Sequence, residues 1–446
     1  MYITRVQLRN IKGFTGERAV DLQLPGRSGW TVLAGRNGSG KSTVLQAIAL
    51  ALGGPGLTRA LVPDFTGWVT IGAEQGSVEV QVVRNLETDD FMSSVETRQE
   101  KMRLGLQWVF QSPDDKLPPR LVMTPTPTTA EDSLWGPWSG SPYGWFCAGY
   151  GPFRRLTGGS SEALRLIAGP GPSGRLATLF HEDASLAEGV SWLIDLRLRA
   201  YENPSGRAEQ LLDQALGLLQ DGLLPDQYQI HRVTADGLWI RERGDQGQEF
   251  PLREMSDGYR TVVALALDIV RQMHHTYNVL AIEPTPTGGH AVTNPGVVLI
   301  DEMDAHLHVT WQRKISGWLR GHFPNVQFIV TSHSPYICQS ADEGGLIRLP
   351  GVGEQRPPEV VDEDLYRRVV YGSGDDAVLS ELFGLETPFS DRAEQQRARL
   401  IALEAKVYDG SASEEEVAEY QELGELLTSS LSSRVAEASA RLEQER

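Results

Sequence analysis

A short run of glycines and small polar residues, from Gly35 to Thr43, constrains this 446-residue chain more than any other segment. It matches the phosphate-binding pattern G-x-x-x-x-G-K-S/T at every fixed position. Glycines allow backbone N–H groups to curve around phosphate oxygens, where a Cβ atom would intrude. The apolar run Gly29–Ala34 predicts a buried strand before the loop, and Ser42–Leu52 predicts a helix after it. The order of strand, loop and helix favours a nucleotide-binding loop over a glycine-rich turn with a stray lysine.

The chemistry of this loop assigns a role to most of its residues. Lys41 supplies a point charge for the β- and γ-phosphates, and the hydroxyl of Ser42 is a ligand for Mg²⁺. We therefore expect ATP and Mg²⁺ as cofactors. The predicted nucleotide contacts are Gly35, Asn37, Gly38, Gly40, Lys41, Ser42 and Thr43.

Two further apolar runs end in polar residues that suit ATP hydrolysis. Val297–Ile300 leads into Asp301 and Glu302. A buried strand tip can present Asp301 to Mg²⁺ or its water, and Glu302 can orient or deprotonate the attacking water. Val326–Val330 leads into a small polar turn that contains His333, which could bond to a γ-phosphate oxygen or to the attacking water. A lone histidine after a strand is usually structural, but its position downstream of the other motifs favours a catalytic role.

The segment Ser256-Asp257-Gly258 precedes a long apolar helix that we expect to reach about His274. Ser256 suits the N-cap position, and Gly258 allows close approach of another backbone. One interpretation is a simple helix cap. The other is a second phosphate-binding helix N-terminus, which acts in trans on the nucleotide of a partner subunit.

In this order, the four motifs resemble the ABC-type ATPase heads of SMC, RecF and related repair proteins. The segments Leu299–Gln312 and Phe323–Pro335 more closely resemble the ATPases of the OLD class and those of Septu and retron anti-phage systems. The resemblance covers about 1–52 and 228–337. It implies a head-to-head homodimer driven by ATP, with each nucleotide held between a P-loop and the partner's Ser256–Gly258. It also implies that Ala305–His308 crosses the dimer interface.

The chain departs from the family pattern in two places. The glutamine that helps to hold Mg²⁺ in the family has no clear counterpart, and Gln107 and the segment Tyr150–Arg154 are candidates. No acidic cluster of the Toprim type follows His333, so we expect no intrinsic nuclease. His306 and His308 are two residues apart and would not share a helix face, so we expect no metal site there.

Charge and cysteine content narrow the class of partner. The formal net charge of −18 argues against DNA binding by the bulk surface, although a local basic groove stays possible. Acidic residues concentrate after Asp375, above all at Glu414–Glu416, which indicates a solvated face or a protein-docking surface. The isolated Cys147 and Cys338 favour a reducing compartment. We expect a cytoplasmic protein without a membrane partner.

We predict an α/β fold, namely a P-loop ABC-ATPase head with a β-rich first lobe, a helical insertion and a C-terminal helical hairpin. The predicted parts are an ATPase lobe at 1–84, a loop-rich and then helical insertion at 85–227, a second ATPase lobe at 228–350, and an acidic hairpin with its tail at 375–446.

An aromatic cluster in the insertion is interpreted as a packing core in preference to a base-stacking platform. Its members are Trp135, Trp138, Tyr143, Trp145 and Tyr150.

The functional prediction is a dimerising ATPase that controls an effector, such as a nuclease, in anti-phage defence or nucleic-acid surveillance. Nucleic acid itself is a possible partner. A RecF-like repair ATPase is the first alternative, and the nucleotide-binding subunit of a transporter is the second.

Overall fold

The computed structural model describes residues 1–89, 100–110, 118–123, 137–138, 144–155, 173–204, 206–225, 227–244, 247–285 and 289–427. The chain forms two compact units, Met1–Phe383 and Gly384–Arg446. The regions that the sequence assigns to the two ATPase lobes and the insertion all lie within the first unit.

The first unit contains both strands and helices, often in runs of one type. The strands are β1 (Tyr2–Arg9), β2 (Val20–Gln23), β3 (Gly29–Ala34), β4 (Gln75–Val83), β5 (Lys101–Val109), β6 (Arg120–Met123), β7 (Cys147–Tyr150), β8 (Tyr228–Thr234), β9 (Gly237–Glu242), β10 (Glu249–Pro251), β11 (Ile282–Pro284), β12 (His290–Val292), β13 (Gly296–Ile300), β14 (Val326–Ser332), β15 (Leu346–Arg348) and β16 (Glu359–Val360). The α-helices are α1 (Lys41–Leu61), α2 (Ser173–Phe180), α3 (Ala187–Glu202), α4 (Arg207–Gln220), α5 (Asp257–Tyr277), α6 (Val309–His322), α7 (Pro335–Cys338), α8 (Glu363–Tyr371) and α9 (Gly374–Val378), and short 3₁₀ turns occur at Gly16–Arg18 and Leu252–Glu254.

A largely parallel sheet carries the functional motifs. Its strand order among the described residues is β16-β15-β3-β14-β13-β7, and every pair is parallel except β15 with β16. All residues of β13 and β14 are buried, as predicted from their continuous apolar runs. Because β3, β14 and β13 are parallel neighbours, the segments that follow them leave the sheet at the same edge.

Opposite faces of this sheet pack into two different cores. Leu33, Leu299 and Ile329 pack toward α1 and the antiparallel sheet β2-β1-β4-β5-β6. Their neighbours Val32, Ile300 and Val330 belong to the second core, which includes the apolar face of α5. This alternation follows from the two-residue period of a strand, and it places the P-loop helix and the helix after Ser256 on opposite faces.

The P-loop helix α1 is a core helix with a break near its middle. Gly54 has a left-handed φ of 77°, and Pro55 follows it. Of the helices that the structure describes, α1 is the one long and apolar enough to cross a membrane, yet 61% of its apolar stretch is buried within this fold.

Aromatic residues of the insertion pack on α1. The indole of Trp138 donates to the carbonyl of Ala51 at 3.0 Å, and that of Trp145 donates to the carbonyl of Leu52 at 3.4 Å. Tyr150 is buried. Trp138 and Trp145 pack into the core that contains α1, whereas Tyr150 belongs to the core on the opposite face of the parallel sheet. The three residues thus serve packing, as predicted, but they are divided between two cores. Trp135 and Tyr143 lie outside the described residues.

The second unit contains the predicted helical hairpin. Its helices are α10 (Asp391–Tyr408) and α11 (Glu414–Leu426), and the side chains of Ser390 and Ser413 cap them. Cross-helix ion pairs join Arg399 to Glu419 at 2.6 Å and Lys406 to Glu416 at 2.5 Å. The rest of the acidic face is exposed, including Glu414 and Glu415.

A buried side chain joins the largely parallel sheet to the antiparallel sheet β2-β1-β4-β5-β6. The amide of Gln327 on β14 donates to the carbonyl of Ile3 at 2.9 Å, and its oxygen accepts from the N–H of Ile3 at 2.6 Å. Gln327 is 1% exposed and Ile3 is fully buried. The bonded backbone groups sit at an irregularity in the β1–β4 register, between Ile3 and Arg5.

We expect Gln327→Leu to lower the free energy of unfolding by about 2–4 kcal/mol, because it leaves a buried N–H and a buried carbonyl without partners. Urea unfolding measures this change. The control is Gln7→Leu on β1, where the glutamine bond to Asp21 is solvent-exposed and the expected change is within about 0.5 kcal/mol. Equal stability of the two variants would contradict the proposed link between the sheets.

Candidate nucleotide-binding and hydrolysis site

The loop after β3 has a backbone that requires glycine. Gly38 and Gly40 adopt left-handed φ values of 77° and 93°. A Cβ atom on Gly40 would lie 2.5 Å from the ring of Phe14, so a larger residue would also be excluded by packing. The buried hydroxyl of Ser39 has no hydrogen-bond partner among the described residues. The loop therefore forms a cradle whose polar groups suit an anionic ligand.

Lys41 begins α1 and turns back over this loop. Its ammonium donates to the carbonyls of Gly35 at 2.9 Å and Arg36 at 3.2 Å. Burial lowers the pKa of Lys41 from its usual range, and the carboxylates of Asp301, Glu302 and Asp304 oppose that shift. The charge is thus held within the electrostatic reach of the acids that follow β13.

A cavity of about 350 Å³ joins the P-loop to the two proposed catalytic residues. Its lining includes Asn37, Gly38, Gly40, Lys41, Ser42 and Thr43 of the P-loop, together with Glu302 and His333. The structure therefore brings together residues that lie about 290 positions apart in the sequence, as the parallel strand order requires.

The same cavity has a wall that the sequence analysis missed. Lys12, Phe14 and Arg18 line it, from the turn between β1 and β2. Arg18 donates to the carbonyls of Gly351 at 2.5 Å and Glu354 at 2.8 Å, which ties this turn to the loop after β15. No local motif in this turn indicates a ligand, so the sequence pattern does not predict this wall of the cavity.

Asp301 and Glu302 share one hydroxyl partner. The side chain of Thr331 donates to Asp301 Oδ1 at 2.5 Å and accepts from the N–H of Glu302 at 2.7 Å. Asp301 is buried, whereas Glu302 opens into the cavity. Glu302 has a left-handed φ of 47°, which is uncommon for a residue with a side chain and which indicates a held conformation.

The protonation equilibria of Glu302 and His333 are shifted in directions that suit hydrolysis. Burial raises the pKa of Glu302, as do the neighbouring acids Asp301 and Asp304, while Lys41 and Arg154 act in the opposite direction. Burial lowers the pKa of His333, and the Lys41 ammonium lowers it further. A carboxylate with a raised pKa is a better proton acceptor, and a neutral histidine can both donate and accept hydrogen bonds.

Asp304 connects the segment after β13 with the turn that carries His333. Its Oδ1 accepts from the hydroxyl of Ser332 at 2.5 Å and from the N–H of His333 at 3.1 Å. A displacement of either segment therefore acts on the other through one carboxylate oxygen.

Ser256, Asp257 and Gly258 do not line the P-loop cavity. They line a separate cavity of about 410 Å³ with Tyr259, His306, Leu307, His308 and Trp311. A Cβ atom on Gly258 would lie 2.6 Å from the carbonyl of His306, so glycine is needed for this contact. Ser256 occupies the N-cap position, but its hydroxyl makes no capping bond to α5. Ser256 thus stands where a helix cap is expected, but its hydroxyl does not perform the capping role.

The two candidates for the missing glutamine differ in position. Gln107 on β5 donates to the side chain of Gln75 at 2.6 Å in an exposed pair, and it is not part of the cavity lining. Tyr150–Arg154 follows β7, the strand that pairs with β13, and Arg154 bonds to the carbonyls of Asp301 and Glu302. Gln107 was therefore a wrong candidate, and the second segment supplies a buried arginine instead.

The residues present fit ATP and Mg²⁺ by their chemistry. The glycine cradle with the partnerless Ser39 hydroxyl suits phosphate oxygens. Ser42 and the buried Asp301 offer two oxygen ligands, and Mg²⁺ is usually bound through one or two protein oxygens besides phosphates and water. Ser42 follows Lys41 in the chain, and Asp301 lies within electrostatic reach of the Lys41 ammonium, whose charge suits a triphosphate.

The α/β architecture and the order of its motifs are those of a P-loop ATPase fold. Comparison with known proteins agrees. Residues 170–339 match the family model described as "AAA domain, putative AbiEii toxin, Type IV TA system", and residues 5–112 match one described as "AAA domain".

The relatives by sequence include proteins of Septu and retron systems. The Septu protein PtuA of Bacillus mycoides (strain KBAB4) is 25% identical over 349 residues, which span 77% of this chain and 40% of PtuA. The Retron Ec83 probable ATPase of Escherichia coli is 36% identical over 108 residues, which span 24% of this chain and 18% of that protein. The chain thus spans less than half the length of these relatives. They confirm the resemblance to Septu and retron ATPases.

A solved Smc head bound to the C-winged helix domain of ScpA aligns with 81% of this chain and 98% of its own. The sequence identity is 16% and the TM-score is 0.47.

Proposed function

We propose that this protein binds ATP with Mg²⁺ and hydrolyses it, and that two copies close around the nucleotides. The observation that supports hydrolysis is the single cavity shared by Lys41, Glu302 and His333. It joins a phosphate-binding cation, a carboxylate with a raised pKa and a histidine with a lowered pKa.

Each residue has a distinct part in the proposed reaction. The P-loop amides and Lys41 bind the β- and γ-phosphates, and Lys41 offsets the charge that develops on the leaving group. Glu302 orients the attacking water and accepts its proton. His333 hydrogen-bonds to the γ-phosphate or to the attacking water. When bound by Ser42 and Asp301, Mg²⁺ would supply charge neutralisation at the phosphates.

We expect Glu302→Gln to retain ATP affinity and to slow turnover by ~10²–10⁴-fold, because an amide cannot accept the proton from water. Calorimetry measures the affinity, and phosphate release measures the turnover. The matched control is Glu343→Gln, an exposed glutamate outside the cavity lining, which should hydrolyse ATP like the wild type. Wild-type turnover in Glu302→Gln would rule out the assigned role.

Dimerisation is supported by the separation of the two phosphate-binding elements. The P-loop and the Ser256–Gly258 segment line different cavities of one chain, so a composite site of the kind that the family resemblance implies needs a second chain. The hydroxyl of Ser256 is not engaged as a cap, which leaves it available for a phosphate oxygen.

A mixture of Lys41→Ala and Ser256→Arg tests this arrangement. Each variant alone should be nearly inactive, because Lys41 serves its own nucleotide and Ser256 serves the partner's. In a mixed dimer one composite site carries both changes and the other carries neither, so turnover should partly return on mixing. Turnover that does not depend on protein concentration would contradict a site shared between chains.

We further propose that the ATPase controls a separately encoded effector, such as a nuclease, in a defence system. The names of the Septu and retron relatives support a role in a defence system. The exposed acidic face of the hairpin supports the proposal that the effector docks there. Arg399 pairs with Glu419 and Lys406 with Glu416, whereas other acids of the hairpin are exposed and can be reached by a partner, namely Glu414, Glu415 and Glu422.

The double change Glu415→Lys with Glu422→Lys should abolish capture of the products of neighbouring genes and leave ATP turnover unchanged. Both residues are exposed, and the change spares the capping box and the cross-helix ion pairs. The control reverses two exposed acids of the first unit, Glu343 and Asp364. If removal of Ser390–Arg446 leaves capture intact, the hairpin is not the docking surface.

A further inference from the structure

Arg154 is a buried arginine whose guanidinium donates to three backbone carbonyls. It is 2% exposed, and its guanidinium donates to Gly151 at 2.9 Å, Asp301 at 2.8 Å and Glu302 at 3.1 Å. Burial lowers the pKa of Arg154 to about 10, and the neighbouring carboxylates of Asp301, Asp304 and Glu302 oppose that shift. The group therefore stays charged at neutral pH, although it has been removed from water.

The two carbonyls beyond β13 converge on this one group. In a regular strand, the carbonyls of successive residues point in opposite directions. Here the left-handed φ of Glu302 turns the chain, and the two ends of the guanidinium fork bind the carbonyls of Asp301 and Glu302. A left-handed backbone is unfavourable for glutamate, and here it directs the Glu302 side chain into the cavity. The hydrogen bonds from the Arg154 guanidinium stabilise this strained conformation.

The base of Arg154 is itself fixed. The backbone carbonyl of Tyr150 accepts from the N–H of Asp301 at 2.7 Å. The phenolic hydroxyl of Tyr150 donates to the buried side chain of Asp268 on α5 at 3.0 Å. A Cβ atom on Gly151 would lie 2.2 Å from the carbonyl of Thr178 on α2, so this part of the segment is tightly packed. The guanidinium is therefore presented from a rigid support.

We propose that Arg154 is a positioning residue for ATP hydrolysis, which holds the backbone of Asp301 and Glu302 so that the Glu302 carboxylate meets the attacking water. The inference rests on the proposed ATP hydrolysis. It adds to that reaction a residue, Arg154, that does not line the P-loop cavity. Lysine cannot replace it fully, because an ammonium is a single point and cannot span the two carbonyls as a planar fork does.

The test compares Arg154→Lys and Arg154→Met with a matched control, Arg175→Lys. Arg175 is also a buried arginine, but it bonds to Trp145 and Thr276 at the other end of β7. In both Arg154 variants we expect ATP affinity within about two-fold of wild type and turnover reduced about 10–100-fold, since small misplacements of reacting groups have effects of this size. The control should retain turnover.

Hydrogen exchange of the nucleotide-free protein gives a second readout. The amides of Asp301, Glu302 and Met303 should exchange faster in Arg154→Lys and at the wild-type rate in Arg175→Lys. Wild-type turnover, or wild-type exchange at these amides, in Arg154→Lys would overturn the proposal, as would an equal loss of turnover in the control. If the wild type itself does not hydrolyse ATP, the proposed function fails, and the exchange rates alone then show whether Arg154 holds this turn.

Discussion

Parallel pairing of β14 with β3 on one side and β13 on the other is the interaction on which the rest of the site depends. Ser332 lies opposite Ala34, and Ile300 lies opposite Val330. This register makes the P-loop, the Asp301–Glu302 turn and the His333 turn leave the sheet side by side. A shift of the pairing by one residue would also move each side chain of the strand from one core to the other. Both the packing of the cores and the geometry of the site therefore constrain the register.

Short polar contacts then link two of these turns, the Asp301–Glu302 turn and the His333 turn. Thr331 bonds to both Asp301 and Glu302, and Asp304 bonds to the His333 turn. Because these groups are buried or half-buried, an unpaired partner would be costly, and the bonds resist independent motion of the turns. The acids after β13 and the His333 turn thus form one hydrogen-bonded unit beside the P-loop, which suits a reaction that depends on the alignment of water and phosphate.

The sequence predicts the parts of this site whose chemistry is local. The glycine loop, the acids after Val297–Ile300 and the histidine after Val326–Val330 each occupy a few contiguous residues with a recognisable pattern, and the structure places them around one cavity. The segment Tyr150–Arg154 was a candidate for a different role, and the role of Arg154 could not be predicted, since its bond to Asp301 spans 147 residues and its target is a backbone carbonyl, which has no sequence signature. Gln107 was chosen by residue type alone, and its exposed position on β5 shows the weakness of that choice.

The position of β3 also sets the order in which the protein can form during its synthesis. Both neighbours of β3 in the sheet, β14 and β15, follow it by roughly 300 residues. At typical translation speeds of ~5–20 residues per second, the P-loop strand waits on the order of 15–60 seconds for its partners to leave the ribosome. Throughout that interval its apolar residues need protection from other chains. A ribosome that stalls before Val326 would release a polypeptide that carries the nucleotide-binding motif without the strands that support it.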